Sequence, residues 1–498
     1  MAQNYLAYDL GAESGRAVSG TLEGGRLTLE EVHRFRNRPV WMRGTLTWDF
    51  PSLVHELQEG LGKFARHYER PPSGISCDTW GVDFGLLDRN GDLLGNPVHY
   101  RDSRTDGMPE GVFSRVSKEE IYSQTGTQFM QLNTLFQIEY LQSSGKPLWE
   151  IAQRFLLMAD LLNYFFCGAE VVESSLASTT HLYSATQRDW CKQLIERLGY
   201  PLQVFPEIVR SGTRIGTLDE KVVRALGLAP QYRNTPVIAS LSHDTAAAVA
   251  AVPADRTTNW AYLSSGTWSL LGVELDEPIL RPEALRLNFT NEGGAEGTVR
   301  FLKNIMGLWI LQECRRTWEK EKGEEIDYGE ISRLATQAEP QAAFIDPDDP
   351  RFFSPGNMPD RVQASCQETG QKVPEGFGAI ARCILESLAL KYRHNLEAIE
   401  NLIGGKKIDI LHVVGGGGKN RFLNQVVADV LGIPVVVGPT EATATGNIIT
   451  QAVAMNEVGG LWEGRKIVGD SFEIEVYEAS SEFDWEGPYR RFRELIHG

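Results

Sequence analysis

The chain opens on short runs in which apolar and polar positions alternate. Residues 5–9, 16–22 and 26–35 read as three strands, parted by Gly11-Ala12-Glu13-Ser14-Gly15 and by Glu23-Gly24-Gly25. The period then lengthens: Leu53, Leu57, Leu61 and Phe64 share one face and predict a helix over 52–68. A short strand over 75–78 comes next, then a hairpin through 82–87 and 93–98 that turns at Arg89-Asn90-Gly91. Residues 118–235 read as mainly helical, an inserted or flanking region.

The same succession begins again in the second half. Residues 236–241 form an apolar strand and 245–252 an alanine-rich helix. Residues 259–263 and 268–274 form a strand pair around Ser264-Ser265-Gly266-Thr267. Further on, a buried strand over 408–414 meets the turn Gly415-Gly416-Gly417-Gly418, then a helix over 419–431 and the strand Val435–Val437. That order suits a nucleotide contact at a helix start, although no Gly-x-Gly-x-x-Gly or P-loop pattern occurs. Meander, helix, strand and helix, occurring twice, predict a duplicated α/β domain with a ligand cleft between the copies.

Charge and cysteine content narrow the class. A formal charge of −17 disfavours nucleic acid as a partner and leaves phosphate binding to local donors. No N-terminal signal pattern is present, and the most apolar long stretch, 155–167, holds Asp160 and Asn163 and is too short to cross a bilayer. Six cysteines with no Cys-x-x-Cys pair point to a reduced, cytoplasmic enzyme, with Cys366 and Cys383 as buried free thiols or a pair.

The chemistry gathers at the turns. Two glycine turns can aim backbone N–H groups and hydroxyls at one polyphosphate. Asp9 precedes the first, where a carboxylate either caps its own turn or holds Mg²⁺ directly or through water. Thr267 offers a hydroxyl in the second. Ser242-His243-Asp244-Thr245 opens a helix, so Ser242 or Asp244 serves as an N-cap, or Asp244 serves as a general base toward a substrate hydroxyl. His243 either satisfies local structure or bonds a sugar hydroxyl. Trp80-Gly81 combines a flat ring with a bare backbone, as a sugar site does, or is a hairpin start with a core tryptophan.

Together these residues resemble the FGGY carbohydrate kinases over essentially the whole chain. The likeness is carried by Asp78-Thr79-Trp80-Gly81-Val82-Asp83-Phe84, Tyr100-Arg101-Asp102-Ser103-Arg104-Thr105, Ser242-His243-Asp244-Thr245, Tyr262 to Leu270, Asn291-Glu292-Gly293-Gly294-Ala295-Glu296-Gly297 and Leu302 to Trp309. It implies an α/β fold of two duplicated ribonuclease H-like (actin/hexokinase-type) domains, 1–242 and 243–498, flanking an interdomain cleft. It implies phosphorylation of the 1-hydroxyl of L-rhamnulose, with ATP and Mg²⁺, in rhamnose degradation.

By position, the resemblance puts Asp244 on the catalytic base and Gly81, His243, Thr245 and Asn304 on sugar contacts, with Trp80 beside them. Ala12, Glu13, Ser14, Gly15, Arg16, Thr267, Gln312 and Gly416 fall on ATP contacts. Glu13 stands where relatives carry a small polar residue, so only its backbone N–H is assigned, and Gly418-Lys419 also departs from the pattern. The expected partners are the sugar and ATP, for a monomer or small homo-oligomer, with no nucleic acid and no membrane. Two alternatives share the turns: a kinase for another deoxyketose such as L-fuculose, and an actin/Hsp70-like ATPase.

Overall fold

The structure is a computed structural model and describes residues 2–497. Packing divides the chain into two compact units. The first takes the residues up to Pro253 together with Glu274–Phe301 and Ala442–Phe472; the second takes Ala254–Val273, Leu302–Glu441 and the residues from Glu473 on. This division by packing is drawn differently from the halves 1–242 and 243–498 expected from the sequence, since Ala442–Phe472 packs on the first sheet without joining it.

In the first unit a six-stranded sheet runs in the order Thr213–Thr217, Pro236–Ala239, Ile75–Thr79, Gln3–Leu10, Ser14–Glu23, Arg26–Arg36. The last three form the expected meander, antiparallel throughout. Gln3–Leu10 and Pro236–Ala239 both pair parallel with Ile75–Thr79. The helix Phe50–His67 follows the meander. Asp49 caps it by accepting from Ser52 N, and Leu53, Leu57, Leu61 and Phe64 are buried along its inner face. Each such side chain contributes about 1.5–3 kcal/mol by leaving water.

The opposite face of the meander is covered from far along the chain. The helix Ala442–Ala454 brings Ala444, Ile448, Ile449 and Ala452 into one cluster with Tyr5, Ala7, Val18, Leu22 and Leu27. It fits because small residues line both sides. A Cβ at Gly20 would stand 2.6 Å from Ile448 Cδ1, and one at Gly446 only 1.8 Å from the carbonyl oxygen of Ala247. Ala247 belongs to the alanine-rich helix Asp244–Ala250, which this contact fixes at its outer side.

The second unit repeats the plan. The second sheet has seven strands, in the order Thr290–Gly293, Val299–Met306, Trp268–Leu275, Trp260–Ser265, Ile410–Val414, Val435–Val437, Glu475–Tyr477. As in the first unit, a hairpin stands beside two parallel pairings and an antiparallel edge. The helix Arg421–Leu431 buries Leu423, Val426, Val427 and Val430, whereas Phe422, expected in the core, is half-buried. Cys366 and Cys383 are free thiols whose Sγ atoms stand 4.0 Å apart. No helix among the described residues is long and apolar enough to cross a membrane.

Two local expectations change. The strand Phe84–Leu87 pairs with Arg154–Leu157, not with residues 93–98. The latter segment meets it through a bridge between Leu87 and Leu93 and the Leu94 N–H donating to the Leu86 carbonyl, and its end bridges elsewhere, Val98 to Thr47, since Gly95 at φ 144° and Pro97 cannot continue a ladder. Residues 118–235 are mixed, with several two- to five-residue strands between the helices.

Replacing Gly446 by Val should force the two helices apart and lower unfolding free energy by about 1–3 kcal/mol or more, as overpacking does. Urea denaturation monitored by circular dichroism checks this; an unchanged midpoint would contradict the close contact.

Candidate active site

The parallel pairings bring several acidic side chains to one end of the first sheet. Asp9 and Asp78 are register partners on adjacent parallel strands. Asp244, the first residue of its helix, lies near enough to raise the proton affinity of Asp78. Strand ends of an open α/β sheet are where ligands bind, because backbone groups and loop side chains converge there.

Each carboxylate is balanced differently. Asp9 pairs with Arg16, its cross-strand neighbour, at 2.5 Å. Asp78 is fully buried; Asn447 Nδ2 donates to its Oδ2 at 2.6 Å, while Oδ1 has no hydrogen-bond partner. Burial, then the neighbouring Asp9, pushes the Asp78 carboxyl well above the ordinary range. Asp244 keeps 28 % of its side chain exposed. Burial raises its pKa to about 6, with His243 opposing and Asp9 adding to the rise.

His243 is held from two sides. Its Nδ1 stands 3.1 Å from Arg300 Nη2 and 3.3 Å from Glu292 Oε2, and its Nε2 stands 3.5 Å from Asp244 Oδ1. Thr245 Oγ1 lies 3.2 Å from Nε2 and accepts from Arg300 Nη1 at 3.3 Å. Arg300 is wholly buried and donates to Glu292 at 2.9 Å. Burial works against the charge on Glu292, but Arg300 and His243 outweigh it and hold the carboxyl below its usual value.

The backbone before Asp244 is clasped as well. Ser242 N donates to Glu173 Oε2 at 3.2 Å, His243 N donates to Ser175 Oγ at 3.0 Å, and Thr79 N donates to the carbonyl of Ser242 at 2.9 Å. The N-cap of the helix is His243, and the Asp244 carboxylate accepts from Thr245 N at 2.6 Å. The capping alternative at Ser242 or Asp244 is thus replaced by a clasp from outside the helix. Glu173, Ser175, Glu292 and Arg300 were not among the residues singled out from sequence. Only the string containing Glu292 carried any signal of them.

Gly81 lies in a strained turn. A Cβ there would come 3.1 Å from Thr179, and the following Val82 adopts φ 70°, which is costly for a β-branched residue. Thr134 Oγ1 donates to the Val82 carbonyl at 2.7 Å, and Val82 N donates to Thr179 Oγ1 at 3.3 Å, holding the turn in place. Trp80 is no free face for a sugar. Its indole N–H donates to Asp83 at 3.0 Å and its ring packs on Trp48 at a centroid distance of 4.1 Å. It is a core residue that shapes the Gly81 turn.

The first glycine turn is closed by Gly11 N donating to the Ser14 carbonyl at 2.9 Å. Gly15 lies under the Phe35 ring, 2.2 Å from where a Cβ would stand. Ala12 packs against the core, Ser14 is half-buried and the Glu13 side chain is exposed.

In the second unit Thr267, Gln312 and the Gly415–Gly418 turn gather at one end of the sheet. Thr267 Oγ1 donates to Gln312 Oε1 at 3.3 Å, and the carbonyl of Thr267 accepts from Gly307 N and Trp309 N at 3.2 Å each. Gly415, at φ 88°, and Gly417 let the turn press on Ser265, where a Cβ at Gly417 would be 2.0 Å from Oγ. Gly416 has open space around it. Gly415, Gly418, Lys419 and Thr440 line a cavity of about 320 Å³ beside this turn. Asn304 lies half-buried on the strand Val299–Met306.

The described residues contain no group of three or more metal-ligating side chains that could cage an ion. Single carboxylates such as Asp9, in an under-neutralised acidic cluster where Asp78 Oδ1 lacks a partner, fit a cation that keeps water and phosphate ligands.

Sequence comparison matches residues 4–250 to the N-terminal domain and 261–455 to the C-terminal domain of the FGGY family of carbohydrate kinases. The chain is 43% identical over 497 residues to a rhamnulokinase of Bacteroides thetaiotaomicron, covering 100% of both chains. It is 43% identical over 482 residues to a rhamnulokinase of Enterococcus faecalis, covering 96% of this chain and 94% of that one. Among solved structures, a xylulose kinase from Rhodospirillum rubrum superposes with a TM-score of 0.79 at 16% identity, covering 99% of this chain and 98% of that one. A gluconate kinase from Lactobacillus acidophilus gives 0.78 at 15% identity, covering 100% and 96%. These two likenesses establish the two-domain α/β kinase fold.

Arg300→Met would leave Glu292 buried without its counter-charge. The expected loss is about 3–5 kcal/mol of unfolding free energy, with partial recovery when Glu292 is also made apolar. Denaturant titration of both variants checks the pair; equal stability of the single variant and the parent would refute it.

Proposed function

The chain belongs to the FGGY family of carbohydrate kinases, and on that premise we propose that it transfers a phosphoryl group from ATP to the 1-hydroxyl of L-rhamnulose. The full-length identity to rhamnulokinases carries the choice of sugar. Both domain families are those of carbohydrate kinases, which sets the actin/Hsp70-like alternative aside.

In this reading Asp244 takes the hydroxyl proton on its carboxylate as the oxygen attacks phosphorus. Phosphoryl transfer asks the protein for a positioned base, alignment and charge stabilisation, with little covalent chemistry of its own. The Glu173 and Ser175 hydrogen bonds fix the backbone that presents Asp244, and the Arg300–Glu292 pair fixes His243 beside it. His243, Thr245, Gly81 and Asn304 contact the sugar. The turn from Ala12 to Arg16, with Thr267, Gln312 and Gly416, contacts ATP, and the exposed Glu13 contributes only backbone. Asp9 would hold Mg²⁺, largely through water. When bound, the ion offsets the negative charge of the phosphates and of the developing transition state.

Asp244→Asn should cut kcat on the order of 10²–10⁴-fold while calorimetry shows L-rhamnulose binding kept. Near-parental turnover would remove Asp244 from the role of base. Because the base must be ionised and its pKa is raised to about 6, kcat/KM should fall as pH drops through that value. A flat profile from pH 5 to 8 would contradict the assignment. Coupled ADP-release rates on L-rhamnulose, L-fuculose and D-xylulose decide the substrate, with equal turnover on all three ruling out a dedicated enzyme.

A further inference from the structure

The segment Asn291-Glu292-Gly293-Gly294-Ala295-Glu296-Gly297 does more than hold His243. Glu292, Gly293, Gly294 and Gly297 also line a cavity of about 230 Å³ within the first unit, which Tyr183, Arg188 and Arg210 share. Neither arginine meets a carboxylate among the described residues. Arg188 Nη2 donates only to the carbonyl of Asp276, at 3.3 Å, and the Arg210 guanidinium makes no hydrogen bond or ion pair.

In a chain with 66 acidic and 49 basic residues, two neighbouring guanidinium groups left without carboxylates call for a physical reason. The backbone is shaped to keep one of them there. Arg188 adopts the left-handed φ of 57°, unusual for a long side chain, and a Cβ at Gly297 would stand 2.8 Å from its Nη1. Both share the cavity wall with Tyr183. Burial raises that phenol to about 12, with Arg188 and Arg210 pulling against the rise and Glu173 and Asp189 adding to it. The Tyr183 hydroxyl itself makes no hydrogen bond among the described residues, so it remains an unused donor of a residue in the same wall. The carboxylate in the wall, Glu292, is already neutralised by Arg300.

We propose that this cavity is a second binding site of the chain, for a phosphate monoester held by Arg188, Arg210 and the Tyr183 hydroxyl. Two planar guanidinium forks and a hydroxyl match the three acceptor oxygens of a phosphate dianion, whereas a carboxylate would leave one donor unmet. Gln187 and Ser211, which also line the cavity, offer polar groups to a hydroxylated tail. Because Glu292 belongs to both this wall and the His243 contacts, an anion seated here changes the field at the proposed base and slows turnover without competing for the sugar. The kinetic consequence rests on the kinase reading; the binding does not.

Calorimetric titration tests the binding on the whole chain, with a non-hydrolysable ATP analogue present at saturation and no sugar. Inorganic phosphate and a ketohexose 1-phosphate are the two probes, so free phosphate and the ester are told apart. Saturable one-site binding of either, weakened by about tenfold or more in the Arg188→Gln/Arg210→Gln double variant, supports the site. Thermal melting of the double variant verifies that it is folded. No saturable binding, or binding unchanged in the double variant, overturns it. In initial-rate assays the ester should inhibit non-competitively against the ketose, and the double variant should lose that inhibition. A purely competitive pattern in both proteins would overturn the link to Glu292. Absence of kinase activity on every ketose would fail the kinase reading alone, since the titration would still decide the site.

Discussion

Like charge crowded at the ends of parallel strands is the constraint around which the first unit is arranged. The register that makes Asp9 and Asp78 neighbours also brings Asp244 into their field. Raising Asp244 from 3.8 to about 6 means that the fold carries roughly 3 kcal/mol against itself above pH 6, relieved as pH falls from 6 toward 3.8. The rest of the unit answers this burden piecewise. Arg16 comes from the next strand, Asn447 from the helix Ala442–Ala454, and the Arg300–Glu292 pair supports His243. A sheet end built for stability alone would not gather these groups, and such cost concentrates where chemistry is done.

The sequence disclosed the local periodicities well. The meander, the Phe50–His67 helix and the hairpin around Gly266 have strong periods and clear turn residues, so their bounds fall within a few residues of those expected. The same was true of Ser242 to Thr245 as the start of a helix. What stayed hidden were partners distant in sequence. Glu173 sits 69 positions from the Ser242 N–H it accepts, and Asn447 is 369 positions from Asp78. No periodicity links such pairs; they meet only because the sheet order brings their strands and helices together. Trp80 stayed open between two readings for a related reason. An aromatic beside a glycine suits a ligand or a core equally well, and the deciding ring, Trp48, lies on an earlier strand, while Asp83 in the same turn takes the indole N–H.

The two units place different residues on one topology. In the first, the turn after the leading strand is followed by acidic residues at the parallel strand ends. In the second, the equivalent strand ends carry small and hydroxyl-bearing residues: Ser265, Thr267 and the run Gly415 to Gly418. Gly307 and Gly417 keep these turns close-packed, since a Cβ at either would strike neighbouring atoms within 2.6 Å. The repeated scaffold thus carries acidic groups on the strand ends of one sheet and small, hydroxyl-bearing residues on those of the other.

The helix Ala442–Ala454 has a consequence for how the chain is made. It covers a sheet made far earlier in the chain, with Ile448 and Ile449 sealing Tyr5, Ala7 and Val18 from more than 400 positions away. Until that helix emerges, this apolar face of the meander lacks the cover that the helix gives it. The first unit is therefore completed only after the long stretch between the meander and the helix has been synthesised, and its sheet face waits on a distant segment.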